Sequence, residues 1–230
     1  NIIMNEKHLD DLVSYLKFPS VSTDSHYKAN VRDCAEWLGS KINEVGLDAS
    51  IHETPGHPIV IGKNKHSEDK PTLMIYGHYD VQPADPIDLW DSPPFEPIIK
   101  DGKIYARGST DNKGQHLAHL LGLGESLSEN GDLPVNIIYL VEGEEEIGSP
   151  NLEPFLIENK EDLDCDVIAV SDTGMIGPRM GTFTYGLRGV ACMEVKVIGP
   201  SKDLHSGVFG GAVANPCTAI SKMISSLHDL

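Results

Sequence analysis

The chain has 230 residues, 40% of them hydrophobic, enough to bury a sizeable core as one large domain or as one domain with part of a second. A formal net charge of -17 argues against nucleic acid and anionic membrane surfaces as partners, because a polyanion must be met by Lys and Arg on the binding face. The cysteines, Cys34, Cys165, Cys192 and Cys217, form no Cys-x-x-Cys pair, which argues against a disulfide framework or a thiolate zinc site. With neither a signal-peptide pattern nor an apolar run of membrane-spanning length, the protein is expected to be cytoplasmic.

Residues 6–18 carry Leu9, Leu12, Val13 and Leu16 at helical spacing and are stopped by Pro19, which predicts an amphipathic first helix. Residues 21–29 read as a polar loop. A second helix is expected over 30–45, with Val31, Cys34, Leu38, Ile42 and Val45 on one stripe and Gly46 just past its end. Short strands are expected at 49–53 and 59–62, and a buried strand at 72–76. The buried strand runs into Gly77-His-Tyr-Asp80, so an imidazole and a carboxylate on the same side of an extended chain arrive at a strand's C-terminal end. Open α/β sheets place their ligands there.

The stretch 81–96, rich in Pro and Asp, is too long for a mere connector and reads as a functional loop held down by Trp90 and Phe95. Asp101-Gly102 between apolar-containing arms predicts a hairpin. A helix is expected over 112–127, an apolar strand over 135–141, a helix opened by Ser149-Pro150 and running to Asn159, and a strand over 167–170. Strand, helix and strand in this order indicate a mostly parallel sheet. Beyond Asp172, Ala191, Met193, Val195 and Val197 alternate with Cys192, Glu194 and Lys196, the pattern of a strand with one wet face that opens a new sheet. Asn215-Pro216 caps a final helix.

Carboxylates follow the expected strands: Asp111 in Ser109-Thr-Asp-Asn-Lys-Gly114, the run Glu142-Gly-Glu-Glu-Glu146, and Asp172. Each has an ordinary alternative when read singly. His78 and Asp80 suit a surface imidazole and a cap, Asp111 a helix cap, the glutamates a solvated loop, and Asp172 a turn. Their convergence at strand ends instead describes a metal site assembled across a sheet. A hydrolytic site needs one carboxylate on the cation and another free to take a proton from water, and adjacent glutamates supply both. A donor set of imidazole and carboxylates without thiolate favours zinc, manganese or cobalt.

The segments Gly77-His-Tyr-Asp-Val-Gln-Pro83, Trp90 with Ser92-Pro-Pro-Phe-Glu-Pro97, Asp101-Gly-Lys-Ile-Tyr-Ala-Arg-Gly108, Thr110-Asp-Asn-Lys-Gly114, Glu142-Gly-Glu-Glu-Glu-Ile-Gly-Ser149, Ser171-Asp172 and Asp203-Leu-His-Ser-Gly-Val-Phe-Gly-Gly211 resemble the M20 metallopeptidases, and among them the carnosinase-like, cytosolic nonspecific dipeptidase branch. The resemblance implies an aminopeptidase-like α/β catalytic domain over 1–185, with a mostly parallel sheet flanked by helices. The beginning of an α+β lid and dimerisation domain follows over 186–230. It implies two divalent metal ions, zinc or manganese with cobalt as a further choice, held by His78, Asp111, Glu146 and Asp172, with Asp111 shared between them. Asp80 would orient His78, Glu145 would be the general base, and the peptide joining Asp111 to Asn112 would be cis.

His205 matches a lid histidine that reaches a neighbouring subunit's active site, so a homodimer is expected, with short peptides, dipeptides above all, as substrates. An N-acyl amino acid deacylase of the acetylornithine or succinyl-diaminopimelate type uses the same metal chemistry, and a non-catalytic metal-binding homologue is the reading from another class. An intact Glu145 beside Glu146 argues against the latter. Asn112 stands where many members carry a second Asp. The family pattern also continues past residue 230, with a further metal-binding His and substrate-binding residues including Arg expected outside this chain.

Overall fold

The helical stripes of the sequence become the faces that cover a central sheet. The structure, a computed structural model, describes residues 5–177 and 180–228. Helix α1 (Glu6–Leu16) starts where the Asn5 side chain accepts the Lys7 N–H, and it buries Tyr15 and Leu16. Helix α2 (Lys28–Glu44) buries Val31, Cys34, Leu38 and Ile42, the stripe read from the sequence, and the chain turns off it at Gly46 with φ of 95°. Helix α3 (Lys113–Asn130) outlasts its expected end and closes on Gly131 in the left-handed conformation. A Cβ at Gly124 would stand 2.8 Å from the Val45 Cβ, so a glycine lets α3 pack close to the end of α2.

The sheet is ordered β1 (Asp48–His52), β2 (Ile59–Lys63), β6 (Asn136–Glu142), β3 (Thr72–His78), β7 (Val167–Val170). Strand β3 runs parallel to both β6 and β7, and the β1–β2 pair is joined antiparallel at the β6 side. Between β3 and α3 lies the small hairpin β4 (Ile98–Lys100) and β5 (Lys103–Tyr105), whose turn residues Asp101 and Gly102 both take positive φ, as the Asp-Gly signal requires. Strand β6 is buried at every position because both faces of the sheet are covered. Its Ile137, Tyr139 and Val141 pack with residues of α1, α2 and α3, while Ile138 and Leu140 face Phe155 of helix α4 (Leu152–Glu158) and Leu163.

The chain divides into two units, Asn1–Thr182 and Phe183–Leu230. In the second, helix α5 (Ser206–Phe209) and helix α6 (Pro216–Ser225) form, the latter capped by the Asn215 side chain as the sequence predicts. Two expectations are corrected. Residues 191–197 do not form a strand, since a strand with one wet face is held by ladder bonds to a partner and no described segment pairs with it. Ser149 does not cap a helix either. Helix α4 begins at Leu152, and Ser149 takes φ of 52° so that its hydroxyl donates to the buried Glu142 carboxylate at 2.7 Å. That buried acceptor outcompetes the helix end, whose cap needs an extended backbone.

Candidate metal centre

In register, His78 at the end of β3 stands opposite Glu142 at the end of β6, and Tyr76 stands opposite Val170 at the end of β7. The parallel strands therefore deliver His78, the 143–146 loop and Asp172 to one edge of the sheet. The His78 ring is fully buried. Its Nδ1 lies 3.0 Å from the Asp80 carbonyl oxygen and 3.3 Å from Asp80 Oδ1, which holds a proton on that nitrogen, so that in the neutral ring Nε2 is the nitrogen with the lone pair. Nε2 is buried without a hydrogen-bond partner among the described residues. It faces Asp111 Oδ1 at 3.3 Å, Asp172 Oδ2 at 3.4 Å and Glu145 Oε2 at 3.9 Å.

Asp111 reaches this position from the turn after β5, across a cis peptide to Asn112. The Asn112 side-chain oxygen accepts the His78 N–H at 3.2 Å, tying the turn to β3. This close approach needs a glycine at 77, since a Cβ there would stand 2.7 Å from the His116 Cβ and 2.8 Å from Asn112 Oδ1. Below the turn, buried Lys113 donates to the Phe18 carbonyl at 2.8 Å and so holds the start of α3 against the chain leaving α1.

The acidic run separates into distinct groups. Glu142 is buried and accepts from Tyr76 Oη at 2.5 Å and from Ser149. Glu144, also buried, accepts from the His57 N–H at 3.1 Å and Asn151 Nδ2 at 2.7 Å. Glu145 and Glu146 turn toward the sheet edge, held by their backbone. The Glu145 N–H donates to Asp80 Oδ1 at 3.2 Å and the Glu146 N–H to Asp80 Oδ2 at 3.1 Å. Ser22 Oγ adds a third donor to Asp80 at 2.7 Å, and Gln82 Nε2 donates to Glu146 Oε2 at 2.8 Å. Ser22, Gln82 and Asn112 were not singled out as site residues by sequence reasoning. The only signal for Gln82 was its place in Val81-Gln-Pro83.

Burial pushes the Glu145 carboxyl up; His78 draws it back, and the charges of Glu146, Asp172 and Asp80 raise it further. Burial likewise raises Glu146, with the Gln82 bond opposing and Asp111 adding to the rise. For His78, burial disfavours the charged ring, but the Asp80 hydrogen bond and the charges of Asp80, Glu145 and Asp172 outweigh it and lift the imidazole to about 9. An imidazole nitrogen with no partner and a group of mutually repelling carboxylates are both relieved by one thing, a cation among them. His78, Asp111 and Glu146 each place one ligand atom within 4.8 Å of the others, so this chain's donors fit divalent metal. His205 belongs to the second unit, at the start of α5, its Nδ1 accepting the Gly207 N–H at 3.0 Å.

Fold and cluster together define an α/β protein with a polar, cation-seeking site at the carboxyl ends of its parallel strands. Within that class, the chain belongs to peptidase family M20/M25/M40, which it matches over residues 74–205. It is 36% identical over 240 residues to the Cys-Gly metallodipeptidase dug1 of Schizosaccharomyces pombe, a match covering 96% of this chain and 50% of that protein. It is 34% identical over 242 residues to the Beta-Ala-His dipeptidase of Homo sapiens, covering 96% of this chain and 48% of the other. Among solved structures, the M20 family metallo-carboxypeptidase Sso-CP2 from Sulfolobus solfataricus superposes with a TM-score of 0.76 at 34% identity, over 99% of this chain and 51% of that one. The chain spans about half the length of the relatives it matches.

Proposed function

We propose that the protein is a metal-dependent hydrolase that cleaves the peptide bond of dipeptides or short peptides with an activated water. The observation that carries this is the buried His78 Nε2, without a hydrogen-bond partner among the described residues and facing the carboxylates of Asp111, Asp172 and Glu145. His78 and Asp172 would hold one zinc or manganese ion, with cobalt as a further choice, and Glu146 the other. Asp111, within reach of both His78 and Glu146, would be shared. Bound there, the ions supply activation of a water and polarisation of the scissile carbonyl.

The chain's own residues divide the remaining work. Glu145 takes the proton from water and passes it to the leaving amine, and burial raises its proton affinity in the direction a base working near neutral pH needs. Asp80 orients the His78 ring through Nδ1 and seats the backbone of Glu145 and Glu146. By the family resemblance, His205 steadies the substrate or the developing oxyanion in the site of a neighbouring subunit, which makes the working protein a homodimer. The names of the relatives point to Cys-Gly and β-Ala-His dipeptides as first substrates to try.

The test is to assay the intact protein, loaded with manganese or zinc, against a dipeptide panel and a set of N-acyl amino acids. Dipeptide hydrolysis that stops on chelation is expected. Turnover confined to N-acyl amino acids overturns the substrate class, and no metal-dependent turnover overturns the reading.

A further inference from the structure

We propose that Gln82 is a positioning residue for the Glu146 side of the metal centre: its amide holds the Glu146 carboxylate in the direction from which it can take a cation. The inference rests on the proposed function. Gln82 is an exposed residue just past Asp80, yet its Nε2 donates both to Glu146 Oε2 at 2.8 Å and to the Glu146 carbonyl at 3.2 Å, across 64 positions of sequence. Ordering an exposed glutamine costs side-chain rotamer entropy, so two bonds to one distant residue need a preset base.

The chain around Gln82 supplies that base. Val81 is fully buried, bridges Val21, and donates its N–H to the Ser20 carbonyl at 3.0 Å. The Pro83 carbonyl accepts from Arg107 Nη2 at 3.0 Å, and the Ala84 carbonyl accepts from Trp90 Nε1 at 2.8 Å. The Arg107 guanidinium in turn lies over the Trp90 ring, 5.3 Å from its centroid.

The two sides of the centre are thus supported differently. His78 is oriented by Asp80, which is buried. Among the described residues, Gln82 is the only side chain that donates to the Glu146 carboxylate. A carboxylate offers about four acceptor directions on its two oxygens, so one bond at Oε2 orients the group and leaves room for a cation. A side chain that orients a metal ligand in this way is worth roughly ten- to a hundredfold in metal affinity.

Gln82→Met, close in size and without a donor, and Gln82→Ala are tested in the intact protein beside wild type and Glu146→Gln. The metal-free proteins are titrated calorimetrically with manganese, and dipeptide turnover is followed as manganese is raised. Both Gln82 variants are expected to bind one ion as wild type does and the other about ten- to a hundredfold more weakly. Their thermal midpoint without metal should be unchanged, and their lost turnover should return at high manganese with KM little altered. Wild-type affinity for both ions in Gln82→Met, while Glu146→Gln loses one, overturns the role of Gln82 alone. Turnover that stays lost at saturating manganese also overturns it. If wild type itself takes up fewer than two ions, the metal-centre reading falls and this inference with it.

Discussion

The buried carboxylate of Asp80 accepts the backbone N–H of Glu146 at 3.1 Å, joining the end of β3 to the loop after β6 across 66 positions of sequence. The same carboxylate takes the Glu145 N–H and the Ser22 hydroxyl and lies against His78 Nδ1. Asp80→Asn keeps the shape but puts a donor where one of these bonds needs an acceptor. An unmet buried N–H costs about 1–3 kcal/mol, and a misdirected metal ligand about ten- to a hundredfold in affinity. Thermal unfolding and calorimetric metal titration of Asp80→Asn are therefore both expected to move. A variant with wild-type values in both would show that Asp80 orients neither His78 nor the glutamate loop.

Glu145 and Glu146 are neighbours with separable duties. Glu145→Gln is expected to keep its metal and lose about a hundredfold or more in kcat, the usual cost of removing a general base. Glu146→Ala is expected to lower metal content itself, because its carboxylate belongs to the group that closes to within 4.8 Å with His78 and Asp111. Elemental analysis decides the matter, and equal metal loss in both variants overturns the division.

What the sequence made legible was what depends on local period or strand ends. β6 is apolar from Ile137 to Val141 because both its faces are covered, His78 closes β3, Glu145, Glu146 and Asp172 follow the strands that run parallel to it, and Asp111 stands just before α3. Ser22 and Gln82 were not legible in this way. Their partners Asp80 and Glu146 lie 58 and 64 positions away, and only the folded register brings them into contact. The glutamate run divides by partners that its spacing does not show: Glu142 and Glu144 are satisfied by Tyr76, Ser149, His57 and Asn151, whereas Glu145 and Glu146 turn toward the sheet edge. The unformed strand over 191–197 marks the same limit, since alternation specifies a face but supplies no partner.

Gly77→Ala tests the packing that brings the Asp111 turn to β3. The added methyl would stand 2.7 Å from the His116 Cβ and 2.8 Å from Asn112 Oδ1, and His116 is buried and tied to Tyr15 Oη at 3.0 Å, so it has little room to retreat. Overpacking of this kind costs about 1–3 kcal/mol. A lowered thermal midpoint is expected together with weaker metal binding, because the Asn112 contact to the His78 N–H must open. An unchanged midpoint would mean that α3 can shift away freely.

Proton competition sets the pH dependence of metal uptake. In the metal-free protein the His78 pKa is raised from 6.5 to about 9, so the ring is protonated across the neutral range and a cation must displace that proton. Apparent affinity should therefore climb about tenfold per pH unit between pH 7 and 9 and level off above, with close to one proton released from this group. The sign for stability is the opposite. A group whose folded pKa is raised adds stability that is fully present below its ordinary value of 6.5 and is lost as pH rises through about 9. The metal-free protein should accordingly melt lower at pH 9.5 than at pH 6.5, and this difference should shrink once metal holds the ring in its neutral form. Metal titrations in buffers of different ionisation enthalpy, paired with melts at the two pH values, check both slopes. Metal affinity independent of pH between 7 and 9 would show that His78 is already neutral before the ion arrives.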